Sequence, residues 1–166
     1  MKRSGESPVL RNATRSDVPE VLRLVRALAE YERLSHEVTA TEADFACALF
    51  GAVPRAHAVL AWIGARPVGL ALWYYTFSTF TARPNMFLED LFVEPEYRGR
   101  GIGLKLIRYL ARCAHDGGCR RVEWRVLNWN QPAIDFYRRI GARPVRDWTV
   151  QLLDGAALLA LADGGE

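Results

Sequence analysis

The sequence has few cysteines and histidines, and neither residue type forms a pattern. Cys47, Cys113 and Cys119 are an odd number of thiols without the close pairs that metal sites use. The three histidines are also far apart along the chain. We therefore expect no metal site, and reduced thiols are typical of a cytoplasmic protein.

The chain also lacks long apolar runs and an excess of one charge. No segment reaches the roughly 20 apolar residues that a membrane-spanning helix needs, and the first ten residues lead into no signal-peptide pattern. The net charge is only +3, and the arginines form no long basic run. We expect a cytoplasmic protein with no membrane segment and no nucleic-acid partner.

What the sequence does have is an alternation of helix and strand patterns in 166 residues, half of them apolar. This length and composition predict a single domain, residues 1–166. Apolar runs predict strands at 9–12, 56–62, 67–77, 86–93, 121–126 and 148–153. Helical spacing predicts helices that begin near Thr14, Thr41, Ile102 and Asn130, and a short Ala/Leu helix at the end. The order indicates an α/β fold, a mixed sheet with helices on both faces.

A glycine-rich turn between a predicted strand and a predicted helix is the sharpest signal. It reads Arg98-Gly99-Arg100-Gly101-Ile102-Gly103. Glycine backbones and the free N–H groups of a helix start form a concave site for phosphate, and the two arginines add positive charge. The spacing does not fit a dinucleotide fingerprint, whose third glycine comes one residue later, or a P-loop, which needs Gly before the Lys.

Two successive acids interrupt the apolar strand that precedes this turn. Glu89 and Asp90 follow Met86-Phe87-Leu88 and precede Leu91-Phe92-Val93. Neighbouring strand residues point to opposite faces unless a bulge intervenes, so at least one acid would be buried at a cost. The pair is a candidate for proton transfer; the alternative is an edge-strand acid paired with an arginine.

These motifs resemble those of the GNAT superfamily of N-acetyltransferases, whose pyrophosphate loop is [QR]-x-x-G-x-[GA]. Within it the chain is similar to the diamine acetyltransferases, the group of spermidine/spermine and thialysine acetyltransferases. The similarity covers residues 9–153 and is carried by segments 29–35, 74–75, 88–93, 95–103 and 128–137, and by Trp148. It implies the GNAT acyl-CoA N-acyltransferase fold, with about six to seven strands, and the transfer of an acetyl group from acetyl-CoA to the amine of a small molecule.

The resemblance also assigns roles to residues of this chain. The cofactor-binding residues would be Leu91, Phe92, Val93, Arg98, Gly99, Arg100, Gly101, Ile102, Gly103, Leu104, Asn130, Gln131, Pro132 and Ala133. The amine site would contain Tyr31, Glu32, Glu89 and Asp90. Glu89 would assist removal of the amine's proton and Tyr137 would protonate the sulfur of coenzyme A. Members of the group are commonly homodimers, and we expect the same here.

Two departures from the group affect the choice of amine. The substrate-loop acid of polyamine-selective members is replaced here by Ser78 or Thr79, and a second acid near Trp148 is replaced by Arg146. A long polycation would lose two contacts, whereas an arginine favours a carboxylate, as in a lysine-like amino acid. Two other functions remain open at this point: a protein or peptide N-acetyltransferase, and a non-catalytic acyl-CoA sensor.

Overall fold

The computed structural model describes residues 6–164 of the chain. The strands of these residues, β1 to β5, are Val9–Asn12, His57–Ile63, Arg66–Ser78, Arg83–Val93 and Val122–Trp124. Their helices, α1 to α5, are Val18–Glu32, Glu42–Phe50, Ile102–Asp116, Gln131–Arg139 and Gly155–Ala162. None of the helices described is long and apolar enough to cross a membrane.

The described chain forms two compact units, one ending at Arg125 and the other beginning at Val126. The first unit contains a sheet in the order β1-β2-β3-β4-β5. The first four strands are antiparallel neighbours, and β5 is parallel to β4. The mixed α/β sheet is therefore confirmed, but the described residues contain five strands rather than six to seven.

Helices cover both faces of the sheet, which divides the core into two clusters. On one face, Leu106 and Leu110 of α3 pack with Trp73, Met86 and Leu88 of the sheet. The opposite face is covered by α1 and α2, and its cluster contains Val21, Leu24, Leu49, Leu70, Leu72 and Phe92. We call these the α3 face and the α1 face. The arrangement follows from alternation along each strand, which sends neighbouring side chains to different helices.

A buried carboxylate fixes the point at which β4 leaves the sheet. Glu94 directly follows β4, is only 6% exposed, and is paired with Arg23 of α1 and Arg66 of β3. Its carboxylate accepts from Arg66 Nη2 at 3.0 and 3.1 Å. Arg23 also donates to the carbonyl oxygen of Pro67 at 2.7 Å. Two arginines therefore neutralise this buried charge and connect α1 to the start of the glycine turn.

The second unit contains α4 and α5 but not the strand predicted at 148–153. That prediction was wrong: these residues have no regular secondary structure, and no described strand pairs with them. Trp148, Val150 and Leu152 are 76%, 67% and 81% exposed. Their spacing has the period of a strand, but a strand also needs a neighbour for its N–H and C=O groups.

Candidate active site

A β-bulge lies at the pair of acids predicted to take part in catalysis. Leu88 is opposite Trp73 and Asp90 is opposite Leu72, so Glu89 is the extra residue of β4. An extra residue reverses the alternation of the strand beyond it. Met86 and Leu88 accordingly lie on the α3 face, and Phe92 lies on the α1 face.

The bulge places Asp90 on the α1 face, since its cross-strand partner Leu72 belongs to that face. The pKa of Asp90 is raised from 3.8 to about 6. Burial is the largest cause, and the negative charges of Glu89 and Glu32 also contribute. Burial also raises the pKa of Glu32, which lies at the end of α1. Three of the four predicted amine-site residues are thus close enough to interact electrostatically, and their like charges make the site suited to a cation.

Glu89 is exposed, and its charge acts on Tyr74, a residue to which the sequence analysis gave no role. Burial raises the pKa of Tyr74, the charge of Glu89 raises it further, and Arg125 opposes both. Tyr74 stacks at a tilt on Phe87, with ring centroids 5.3 Å apart, and the Arg125 guanidinium lies 5.5 Å from the Phe87 ring. The signal available was the pair Tyr74-Tyr75 among the family-like segments; nothing in the sequence marked Arg125.

The edge of β4 next to β5 is paired over a short distance only. The parallel ladder joins Met86 to Val122 and Leu88 to Trp124 and stops there. In the first unit, the segment Glu89–Val93 therefore continues beyond the last pair of that ladder. This segment contains Leu91, Phe92 and Val93, three of the residues predicted to bind the cofactor.

The glycine turn has the geometry predicted for a phosphate cradle. Gly99 and Gly101 have φ values of 73° and 76°, and a Cβ on either would meet nothing within 4 Å. Glycine is required here by the left-handed backbone, not by crowding. Helix α3 begins at Ile102, and its first intrahelical bond runs from Lys105 N–H to Gly101 C=O. Within the described chain, no residue accepts from the N–H groups of residues 99–104, so they can bind an anion.

The two arginines of the turn are held against the protein. Arg98 Nε donates to the carbonyl oxygen of Val93 at 2.9 Å, and Arg100 Nη2 donates to that of Glu96 at 3.1 Å. The Arg100 guanidinium also lies over the Tyr97 ring, at 5.1 Å from its centroid. Both arginine side chains therefore already have acceptors within the protein, whereas the backbone N–H groups of the turn have none among the described residues.

The remaining predicted residues belong to the second unit, around α4. Asn130 caps this helix, and its side-chain oxygen accepts from Ala133 N–H at 3.4 Å, as its position predicted. The N–H groups of Asn130 and Gln131 donate to Leu127 and Trp129 carbonyls, and Pro132 has none. The start of α4 therefore differs from that of α3, because its first backbone donors already have acceptors.

Tyr137 lies on α4 with its ring tilted against that of Phe136, the centroids being 5.4 Å apart. The helix ends as predicted near Gly141, whose φ is 90°. The first unit contains the predicted amine-site residues and the glycine turn, whereas α4 and Tyr137 belong to the second unit.

Comparisons with known proteins agree on one family. The model of the Acetyltransferase (GNAT) family matches residues 20–142. The chain is 40% identical to the thialysine N-epsilon-acetyltransferase of Sus scrofa, over 94% of this chain and 98% of that protein. It is 27% identical to the L-ornithine N5-acetyltransferase NATA1 of Arabidopsis thaliana, over 92% and 86%. A solved integron cassette protein from the mobile metagenome of V. cholerae superposes with a TM-score of 0.79 at 27% identity, covering 95% of this chain and 99% of that one.

Proposed function

This chain belongs to the acetyltransferase (GNAT) family, and on that premise we propose that its acceptor is a small amino acid with a side-chain amine, of the thialysine or lysine type. The chain is an acetyl-CoA-dependent N-acetyltransferase of small-molecule amines. The finer choice of amine is supported by the similarity to a thialysine acetyltransferase along most of both chains. It is also supported by two departures from the polyamine-selective members: by the resemblance, Ser78 or Thr79 replaces one of their acids and Arg146 replaces another.

One observation carries this proposal: the bulge at Glu89 brings three carboxylates together on the face of the sheet that α1 covers. Glu32, Glu89 and Asp90 interact electrostatically there, and Asp90 is half-buried. Like charges in a partly buried site are costly until a cation arrives. An ammonium group supplies that cation, and a second one, an α-amino group, has a further carboxylate to contact.

The glycine turn would hold acetyl-CoA. Backbone N–H groups between Gly99 and Leu104 would bind its pyrophosphate, and the segment Leu91–Val93 would bind its pantetheine arm. The fit rests on two features, the left-handed glycines with open space beside them and the N–H groups that have no acceptor among the described residues. Asn130–Ala133 would add contacts from the start of α4. Acetyl-CoA supplies the acetyl group as a thioester.

An alkylammonium has a pKa near about 10 and must lose a proton before its nitrogen can attack. We propose Glu89, acting through water, as the group that removes this proton. Asp90 is its neighbour, and its raised pKa, about 6, suits this carboxylate to hold the proton near neutral pH after the proton has left the amine. Tyr137 would give its hydroxyl proton to the departing sulfur.

We propose in addition that the two units form one GNAT domain, residues 1–166, and that the protein is a cytoplasmic homodimer. The family model spans the boundary between the units, which supports one domain. The exposed side chains of Trp148, Val150 and Leu152 support an association that covers them. Light scattering of the purified protein tests this, and a monomer at all concentrations would contradict it.

A panel of amines tests the proposed acceptor. We expect thialysine and lysine to give a higher kcat/KM than ornithine, putrescine or spermidine, measured by release of the free thiol of coenzyme A. Acetylation of peptide N-termini alone would instead identify a protein N-acetyltransferase. Binding of coenzyme A with no acetylation of any amine would identify a sensor.

The variant Tyr137→Phe tests the proposed general acid. Loss of a positioned proton donor should lower kcat by about 100-fold while the KM for acetyl-CoA changes little. Tyr109→Phe is the matched control, because its hydroxyl donates to Asn12 beside the α3 face and has no part in the proposed chemistry. Equal effects of the two substitutions on kcat would rule out the assigned role.

A further inference from the structure

Arg98 opens the glycine turn, yet its side chain lies on the α1 face of the sheet. Its guanidinium carbon is 4.4 Å from the centroid of the Tyr31 ring and 5.6 Å from that of Phe92. Both rings belong to the cluster that α1 covers. The arginine therefore connects the cofactor turn to the last turn of α1, where Tyr31 and Glu32 lie.

The local backbone explains this direction. Arg98 is extended, with φ −66° and ψ 163°, and Gly99 then turns the chain towards α3. The hydrogen bond from Arg98 Nε to the Val93 carbonyl fixes the side chain against the end of β4. A planar guanidinium can make this bond and still present its face to an aromatic ring, which an ammonium cannot do.

The last turn of α1 depends on such contacts. The helix ends at Arg33, which is left-handed with φ 63°, an unfavourable conformation for a residue with a Cβ. Leu34 N–H returns to the Ala29 carbonyl at 2.8 Å and closes the end of the helix. A contact that holds Tyr31 in place therefore also fixes the position of the neighbouring Glu32, whose charge acts on Asp90.

We propose that Arg98 is a positioning residue for the amine: by its contact with Tyr31 it holds the end of α1, and so Glu32, against the acids of β4. This inference rests on the proposed function, because it concerns the same amine site. It gives Arg98 a task besides the cofactor contact that the resemblance assigns.

A double-mutant cycle tests the proposal. Arg98→Gln and Tyr31→Leu should each raise the KM for the amine about threefold, the size of an exposed cation–π contact. The double variant should raise it no more than either single variant, because both remove the same contact. Tyr31→Phe keeps the ring and therefore the contact with Arg98, so its effects and those of Arg98→Gln on the amine KM should add.

The matched control is the second arginine of the same turn. Arg100 also donates to a backbone carbonyl and lies over a tyrosine ring. That tyrosine, Tyr97, ends the short 3-10 helix Pro95–Tyr97 before the glycine turn and is not part of α1. Arg100→Gln and Tyr97→Leu should change the KM for acetyl-CoA and leave the KM for the amine as it is.

Additive effects of Arg98→Gln and Tyr31→Leu on the amine KM, or a change in the acetyl-CoA KM alone, would overturn the positioning role. If Arg98→Gln does not fold, Arg98→Lys replaces it in the cycle, since it keeps the charge but cannot both donate to the Val93 carbonyl and stack on the Tyr31 ring. The proposed function fails separately, when the unmodified enzyme acetylates no free amine.

Discussion

Replacing Asp90 by Asn should make the protein more stable at neutral pH, although the residue belongs to the proposed amine site. Asp90 is half-buried on the α1 face, and the charges of Glu89 and Glu32 act on it. Its pKa is raised from 3.8 to about 6. Ionising this carboxyl is therefore harder in the folded protein than in the unfolded chain, and the isosteric amide removes that cost.

The sign and size follow from the two pKa values. Below pH 3.8 the carboxyl is protonated in both states and costs nothing. As the pH rises, the unfolded chain releases the proton first, so the free energy of unfolding falls until the folded carboxyl is also ionised, above about 6. The cost amounts to about 0.6 kcal/mol at pH 4 and reaches at most about 3 kcal/mol at pH 8.

Urea unfolding of the two proteins, followed by tryptophan fluorescence and circular dichroism at equal protein concentration, measures this difference. Asp90→Asn should stabilise strongly at pH 8 and little at pH 4. The control is Asp147→Asn, which removes the same charge from an exposed position of the second unit and should change little at either pH. A gain of equal size at both pH values, or a loss at pH 8, would refute the electrostatic explanation.

Three further substitutions test the turn, the buried ion cluster and a helix cap. Gly101→Val and Gly118→Val both force a side chain into a left-handed backbone with open space around it, so each should cost about 1–2 kcal/mol of stability, but only Gly101→Val should raise the KM for acetyl-CoA. Glu94→Gln should lower the free energy of unfolding, measured in urea, by about 3 kcal/mol, because two arginines lose a buried partner. Glu20→Gln changes the exposed end of the same cluster and should lower it by less than about 1 kcal/mol. Thr41→Ala removes the capping hydrogen bond to Asp44 N–H at the start of α2 and should lower the thermal midpoint by the equivalent of about 1 kcal/mol, an effect that Thr41→Ser should largely avoid.

The sequence was sufficient to predict the elements whose signal is local. The apolar spacing of α3, the glycine turn before it and the Asn130 cap of α4 each depend on residues within a few positions of one another, and the structure has all three. The missing strand at 148–153 shows the limit of this reasoning. An alternating pattern indicates which face a strand would bury, but a strand forms only where another chain segment supplies its hydrogen bonds.

The local sequence pattern made a bulge at Glu89 possible but could not show whether it forms. An acid pair inside an apolar strand is compatible with a bulge or with one acid on each face, and only the pairing with β3 distinguishes them. The direction of the Arg98 side chain is similar, since it depends on where α1 ends relative to β4. Both features set the geometry of the candidate site, and both depend on residues far apart in the sequence.

The bulge at Glu89 determines what the charge of Asp90 costs. A regular β4 would put Asp90 on the face of Met86 and Leu88, inside the apolar cluster under α3. The extra residue instead moves Asp90 to the α1 face, where burial first, and then the charges of Glu89 and Glu32, raise the cost of its charge. That cost lowers the stability of the protein without substrate. A cationic amine relieves it on binding, so the relief contributes to the binding free energy of the amine. Three acids close together lower the stability of the free protein, and their grouping is the strongest physical argument for a cationic substrate.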